Sequence, residues 1–557
     1  MPADPEPPGR LNTSASRPAP PAVARGTAPG RGRYRCSVQE QRTSRTAGRP
    51  VLSSIVVGLV AAVISFAGAW ISPAGVDEAA TMSAARRSLP ELWHMAHNVD
   101  GVHSTYYALM HLWFGLVPYD LALLRLPSAV VIGVGAGLLV VLARRITGSS
   151  HAAVAAGLVF AVLPRTTSAG LQGRSYAFSM MLAIALALVF VLAADRTIHR
   201  RAGAWALWLG YAVVALLGSY MFLYSALLVV AQGVTMLIWL GTRRHQGAVT
   251  RAFVSWLAAA AVAGAGVVPL VLMTSGQASK QLYWIGTKLD LDARLANSVL
   301  VQQNFGDSTR MAYVCGALML VGLVTAFAVP SLRTRTVAVE IVLPAIVLPI
   351  VAVIAVSVLV QPLYNSRYLT FTTPFVALLI AMGITVFRWR VVSTVAVVVG
   401  VALVAALAAP TWVQQRQALH KSGSHWAATV DYITRERAEL PDVGADGVWY
   451  GPLPGHPIRT TEYVASSYPD AFAGMKDLTL VRSGASIGEL WAERTPLHRL
   501  PSTVEVDRIW YVGGLTSKQP TTMRRLLEAN RWHEETRKQI QGFYVITFER
   551  NPRGHGR

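Results

Sequence analysis

Gly75-Val76-Asp77-Glu78-Ala79-Ala80 stands directly behind an uncharged apolar run, Val51 to Ile71. A helix crosses a bilayer with about 20 apolar residues, and this run has that length. Its far end delivers two adjacent carboxylates to the membrane surface, and polar helical-looking segments follow before the next apolar run. Carboxylates held at the lip of a many-spanning chain are costly to desolvate, which marks them as functional candidates. A plainer reading stands beside this one: Asp77 caps a helix beginning near Ala79, with Glu78 in its first turn. The two are compatible.

The composition points the same way. Of 557 residues, 53% are hydrophobic and only 14% charged, as expected for a polytopic membrane protein with room for one further soluble domain. A net charge of +21 would suggest nucleic acid in a soluble protein. Here the excess sits largely in an Arg-rich tail and in short loops between apolar runs, where it reports membrane orientation and implies no nucleic-acid partner. The two cysteines, Cys36 and Cys315, lie on separate segments, so neither a disulfide framework nor a thiolate metal site is implied.

Residues 1–50 are rich in Pro, Gly, Ala, Ser and Arg and are expected to be a disordered, basic, cytoplasmic tail. No early apolar core marks a cleavable signal peptide. Beyond Val51–Ile71, apolar runs near 121–143, 151–164, 175–194, 203–219, 221–240, 252–272, 312–329, 336–359, 368–387 and 391–411 predict eleven spans in all. If they alternate, the clusters at Arg144-Arg145, Arg196 to Arg201, Arg243-Arg244, Arg333-Thr334-Arg335 and Arg388-Trp389-Arg390 all face the cytoplasm. Residues 412–557 then lie outside. Their strand-length runs (Gly447–Tyr450, Leu478–Val481, Arg508–Val512, Phe543–Phe548) alternate with helical stretches (Trp426–Arg437, Thr521–Asn530), which reads as a small extracytoplasmic α/β domain. It has no phosphate-cradling glycine motif.

The loops expected outside carry the chemistry. Residues 72–120 hold Asp77, Glu78, Glu91, His94, His97, Asp100, His103 and His111 among aromatics, with amphipathic stretches at Leu89 to Ala96 and Ser104 to Leu116. Loop 273–311 adds Lys280, Tyr283, Trp284, Lys288 and Arg310. In Asp100-Gly101-Val102-His103, His103 either joins Asp77 or Glu78 around a divalent ion or, with Asp100, caps the next helix. His94 and His97, three apart on a helix face, lack a third ligand. Arg174-Ser175-Tyr176 and Arg367-Tyr368 both open spans at the outer lip. An Arg there faces a carboxylate or phosphate, or it snorkels to headgroups.

The ordered set resembles the membrane glycosyltransferases of the C superfamily, and within it the family 39 or protein-mannosyltransferase-like group, in an actinobacterial style. It consists of Asp77-Glu78, Asp100-x-x-His103-x-x-Tyr106-Tyr107, Arg125-Leu126-Pro127-Ser128, Pro164…Gln172-Gly173-Arg174-Ser175-Tyr176 and Arg367-Tyr368…Pro374. Many relatives read His-Pro-Pro where this chain has His103-Ser104-Thr105.

The resemblance implies an α-helical polytopic enzyme of the cell membrane that takes a sugar, mannose by analogy, from a polyprenyl-phosphate carrier. It would deliver that sugar to an extracytoplasmic hydroxyl on an envelope glycan, lipid or protein. Such a donor brings its own leaving group, so the protein needs a base near the acceptor and cations for the departing phosphate. Asp77 is the candidate base, with Glu78 orienting the acceptor or assisting an ion. Arg174 and Arg367, with Tyr176 and Tyr368, are candidates for the donor phosphate. Asp100, His103 and Tyr106 are acceptor-side or auxiliary candidates. The resemblance fixes no cofactor, and a divalent ion, if used, would sit among Asp77, Glu78 and His103. A lipid-linked sugar transporter and a non-catalytic binder of envelope glycans are the competing readings. The first would want charges deep in its spans, and the second would leave Asp77, Arg174 and Arg367 replaceable.

Overall fold

The computed structural model describes residues 48–243, 247–277, 289–417, 426–442, 444–453, 456–495, 505–514, 524–525 and 527–550. The expected tail up to residue 47, Cys36 included, the four residues Lys280, Tyr283, Trp284 and Lys288, and part of Thr521–Asn530 lie outside them, whereas residues 48–50 of the expected tail already belong to the first helix.

Helices form where the uncharged runs predicted them. They are α1 (Gly48–Phe66), α5 (Leu121–Thr147), α6 (Ser150–Val162), α8 (Tyr176–Ile198), α9 (Ala204–Met221), α10 (Leu227–Arg243) and α11 (Gly247–Ser275), then Thr309–Ala328, Thr336–Leu359, Thr373–Ile384 and Arg390–Gln414. Among the described residues nine helices are long and apolar enough to cross a membrane. They are ten if α6 and the short α7 (Pro164–Gly170), bent 61° to it, make one span. Pro164 causes that bend, because it opens α7 with no N–H to continue α6. The remaining expected span is α1, whose described apolar part, Val51–Phe66, is short. Its run to Ile71 ends in turns, where Gly68 takes a positive φ of 76°. The continuous run Ala202 to Gly241 breaks at Phe222, which is extended, just after the predicted Gly218-Ser219-Tyr220.

Between α1 and α5 lie three short helices, α2 (Val76–Ala85), α3 (Leu89–Asn98) and α4 (Ser104–Phe114). Apolar side chains of α2, α3 and α4, including Met82, Leu92, Met95, Tyr106, Tyr107 and Met110, close a small core of their own.

After Arg390–Gln414 the described chain forms helices Trp426–Glu439 and Glu462–Ser467 and nine strands. These are β1 (Asp446–Tyr450), β2 (Pro452–Leu453), β3 (His456–Thr460), β4 (Lys476–Asp477), β5 (Leu480–Arg482), β6 (Glu493–Arg494), β7 (Arg508–Gly514), β8 (Trp532–Ile540) and β9 (Phe543–Arg550). The main sheet runs β4-β1-β7-β9-β8, with β1 parallel to β4 and β7, and β9 antiparallel to β7 and β8. Of the predicted strand Leu478–Val481, only Leu480 and Val481 are extended, in β5, while Leu478 and Thr479 form the bend after β4.

This region is fastened to α2. Tyr468, Tyr463 and Trp510 share a core with Ala74, Val76 and Ala79. The Ala74 N–H donates to the Tyr468 hydroxyl at 3.0 Å, and the Arg87 guanidinium and Ser83 hydroxyl both donate to the Leu490 carbonyl at 3.0 Å. The helix that carries Asp77 is thus held from both sides.

Candidate functional site

Helix α2 begins at Val76, with Gly75 as its N-cap, three residues before the sequence places it. Glu78 reaches back to accept from the Gly75 N–H at 3.1 Å. The capping carboxylate is therefore Glu78, and the expectation that Asp77 caps is corrected. Asp77 sits in the first turn, where the helix dipole favours its charge.

Glu78 points inward. Both its oxygens accept from the buried Arg125, Oε1 from Nε and Oε2 from Nη2, each at 2.8 Å. Oε1 also accepts from the Gly173 N–H at 3.1 Å. Gly173 is needed there, since a Cβ would fall 2.4 Å from the Leu124 side chain. Its carbonyl accepts from the Thr81 hydroxyl, and the Gln172 carbonyl from the Ser128 hydroxyl, both at 2.8 Å. These bonds fix the turn that presents Arg174.

Asp77 faces the other way. Arg174 Nη2 lies 3.3 Å from its Oδ1, and Arg367 Nη1 lies 3.2 Å from its Oδ2. The side chains of Asp77 and Arg367 keep 41% and 39% of their surface open, whereas Arg174 keeps 8%. Burial disfavours the charged form of Asp77, yet Arg174 and Arg367 outweigh it and hold the carboxyl below its usual range. Arg367 is placed by a tight turn, its N–H donating to the Asn365 side chain at 3.0 Å. The neighbouring Arg165 donates to the carbonyls of Gln302 and Gln303, both at 2.6 Å.

A second carboxylate stands behind Arg174. Asp100 accepts from the Tyr107 hydroxyl, and that hydroxyl accepts from Arg174 Nη1 at 2.6 Å. Asp100 Oδ2 lies 4.0 Å from the same guanidinium nitrogen. Burial pushes the Tyr107 pKa well up, so the hydroxyl keeps its proton for Asp100. Neither Asp100 nor His103 caps a helix with its side chain, as the plainer reading had it. Burial, and then Arg174, push the His103 imidazole down to about 4, so it is neutral at pH 7. Tyr106, adjacent to Tyr107, is turned into the core against Phe178 at 5.8 Å. Tyr176 packs edge-on to Phe222, and Tyr368 stacks on Tyr224 at 5.6 Å, forming an aromatic row that starts beside Arg367.

The structure thus brings together Asp77, Arg174, Arg367, Asp100 and His103, with Tyr176 and Tyr368 flanking. Sequence reasoning gave no role to Tyr107, Arg125 or Arg165. A charge inside an apolar run, such as Arg125, was a usable signal, because it demands a buried partner. Tyr106 and Tyr107 lie three and four residues from His103, and both spacings share a helix face, so the sequence could not choose between them.

The residues do not fit a divalent ion at Asp77, Glu78 and His103. Glu78 is committed to Arg125, and the Asp77 oxygens face two guanidiniums. His94 and His97 are exposed on α3. Among the described residues, the one trio with ligand atoms within 4.8 Å of one another is His533, Glu535 and Glu549, and there Arg508 already holds Glu549 at 2.6 Å.

No protein-family model matches the chain, and no curated protein matches it. Among solved structures, ArnT from Cupriavidus metallidurans bound to undecaprenyl phosphate is 13% identical, covering 90% of this chain and 98% of that one, with a TM-score of 0.50. The same protein in its apo state is 12% identical over 88% and 97%, with a TM-score of 0.53. The chain shares its overall fold with ArnT. The archaeal oligosaccharyltransferase AglB from Archaeoglobus fulgidus, in complex with an inhibitory peptide and a dolichol-phosphate, is 12% identical over 90% and 74%, at a TM-score of 0.47. The shared fold covers nearly the whole of both ArnT chains.

Proposed function

We propose that the protein is a membrane glycosyltransferase that moves a sugar from a polyprenyl-phosphate carrier to an acceptor hydroxyl. One observation carries the reading: a half-open carboxylate, Asp77, stands against two guanidiniums, Arg174 and Arg367. A structural ion pair would resemble Glu78 and Arg125, closed on both sides. In the step proposed, the acceptor oxygen bonds to the anomeric carbon and its proton passes to Asp77. The carbon–oxygen bond to phosphate breaks, and the polyprenyl phosphate leaves with the electron pair, its charge met by Arg174 and Arg367. Tyr176 and Tyr368 line the donor side, and Asp100 and Tyr107 set the position of Arg174. Glu78 positions the turn before Arg174 instead of touching the acceptor.

The decisive assay is Asp77→Asn in membranes supplied with lipid-linked sugar. Polyprenyl-phosphate mannose is the first donor to try, because of the resemblance to mannosyltransferase-like enzymes, and a pentofuranosyl donor is the second. Removal of the base should cut transfer by about 10²-fold or more at normal protein levels. Transfer close to that of the parent would reduce Asp77 to an ion-pair partner.

A further inference from the structure

We infer that Asp77 is a place-holder anion: in the resting protein it occupies the guanidiniums that the donor phosphate takes over, and its displacement frees the base. The inference rests on the function proposed above and adds an order of events to it. Asp77 and Glu78 are adjacent carboxylates of one helix turn, so each serves as a control for the other. Glu78 is gripped by one guanidinium through both oxygens at 2.8 Å, inside the protein. Asp77 gives one oxygen to each of two guanidiniums, at 3.3 and 3.2 Å. Charge-assisted N–H···O bonds that are fully formed lie near 2.7–2.9 Å. The Asp77 contacts are looser, and they use none of the planar two-point geometry that Arg offers.

Arg174 also holds a donor in reserve. Its Nε is buried and has no hydrogen-bond partner, although Nη1 serves Tyr107 and Nη2 serves Asp77. A buried N–H left in this state is costly unless a ligand supplies the acceptor. Arg174 and Arg367 both face Asp77, and Arg174 also faces Asp100. Arg165, close to Arg367 and Asp307, spends its hydrogen bonds on the carbonyls of Gln302 and Gln303 and on the Ser366 hydroxyl. His103, neutral, brings no further charge to the guanidiniums. A phosphate carries more acceptor oxygens than a carboxylate and can take two guanidiniums at once. Its arrival leaves Asp77 without its cations, a free carboxylate beside the bond to be broken.

The consequence is counterintuitive for a residue at the heart of a site: removing its charge should improve donor binding. The test uses purified full-length protein and decaprenyl phosphate, the carrier lipid without sugar. Asp77→Asn and Asp77→Ala should both bind it more tightly than the parent, by about 10-fold, the scale of one charge-assisted contact no longer broken. Asp77→Glu keeps the charge and should bind no more tightly. Arg174→Lys should bind less tightly. If the parent binds and Arg174→Lys weakens it, while both neutral variants bind equally or worse, the phosphate seat stands and the place-holder is overturned. If the parent shows no binding, the proposed function falls and takes this inference with it.

Discussion

Glu78 and Arg125 form a two-armed ion pair, 2.8 Å on each arm, with neither side chain reaching solvent. Arg125 also donates to the carbonyls of Ala69, Ser72 and Pro73, where the chain turns from α1 towards α2. Leaving one buried partner uncompensated costs roughly 3–5 kcal/mol. Glu78→Gln and Arg125→Met should therefore lower thermal stability and membrane accumulation, whereas Asp77→Asn should not. Unfolding in detergent, followed for the three variants side by side, checks this. A Glu78→Gln protein that is as stable as the parent and yet inactive would return Glu78 to the chemistry.

The donor side makes a graded prediction. Lys in place of Arg keeps the charge but loses the planar fork. Losing one charge-assisted bond costs roughly 1.5–3 kcal/mol, about 10- to 100-fold in donor affinity. Arg174→Lys should suffer more than Arg367→Lys, because Arg174 is the buried one and also organises Tyr107. The apparent affinity for acceptor should change little in either. Donor affinity unchanged in both variants would remove the guanidiniums from the phosphate site.

What the sequence made legible follows from the physics of each part. Uncharged runs near 20 residues have one stable fate in a bilayer, so the helical frame was readable run by run. The strand β8, Trp532-His-Glu-Glu-Thr-Arg-Lys-Gln-Ile540, was not, because it pairs on one side only and meets water along most of its length. At the site, Asp77 stood out by its place behind the first run. That Arg174 and Arg367 meet on it depends on tertiary packing, since the two lie on turns before different spans. The division of labour between Asp77 and Glu78 was equally hidden. Adjacent residues on a helix point roughly 100° apart, and which one faces inward is decided by where Arg125 lies.

Acid should expose the neutral imidazole of His103. In the folded protein, burial and then Arg174 hold its pKa near 4, against 6.5 when unfolded. Between these values the unfolded chain binds the extra proton, so stability rises with pH and is lost on acidification from 6.5 towards 4. Asp77, whose pKa is lowered from 3.8, loses its contribution only below that window. His103→Gln should flatten the difference in melting temperature between pH 7 and pH 4.5. An unchanged difference would mean that His103 is solvated enough to titrate normally.

The side of the membrane on which Asp77 works can be fixed with two exposed threonines. Thr242 lies in the last turn of α10, and Thr434 lies on the helix Trp426–Glu439. Between them the described chain has five helices that qualify as spans: Gly247–Ser275, Thr309–Ala328, Pro330–Leu359, Ser366–Ile384 and Arg390–Gln414. Five crossings put the two threonines on opposite sides, however the short α1 and the bent α6–α7 pair are counted. By the bias of basic residues towards the cytoplasm, Arg243-Arg244 beside Thr242 predicts a cytoplasmic end there. Thr434 should then be outside, with Asp77, because α2 is tied to Tyr468 in the same C-terminal region. Cys315 is buried, so a Cys36→Ser background leaves the introduced thiols as the ones to react. A membrane-impermeant maleimide should label Thr434→Cys in intact cells, and Thr242→Cys only after permeabilisation. Labelling of both in intact cells, or of neither, would break the five-crossing count, and labelling of Thr242→Cys alone would move the carboxylate to the other face.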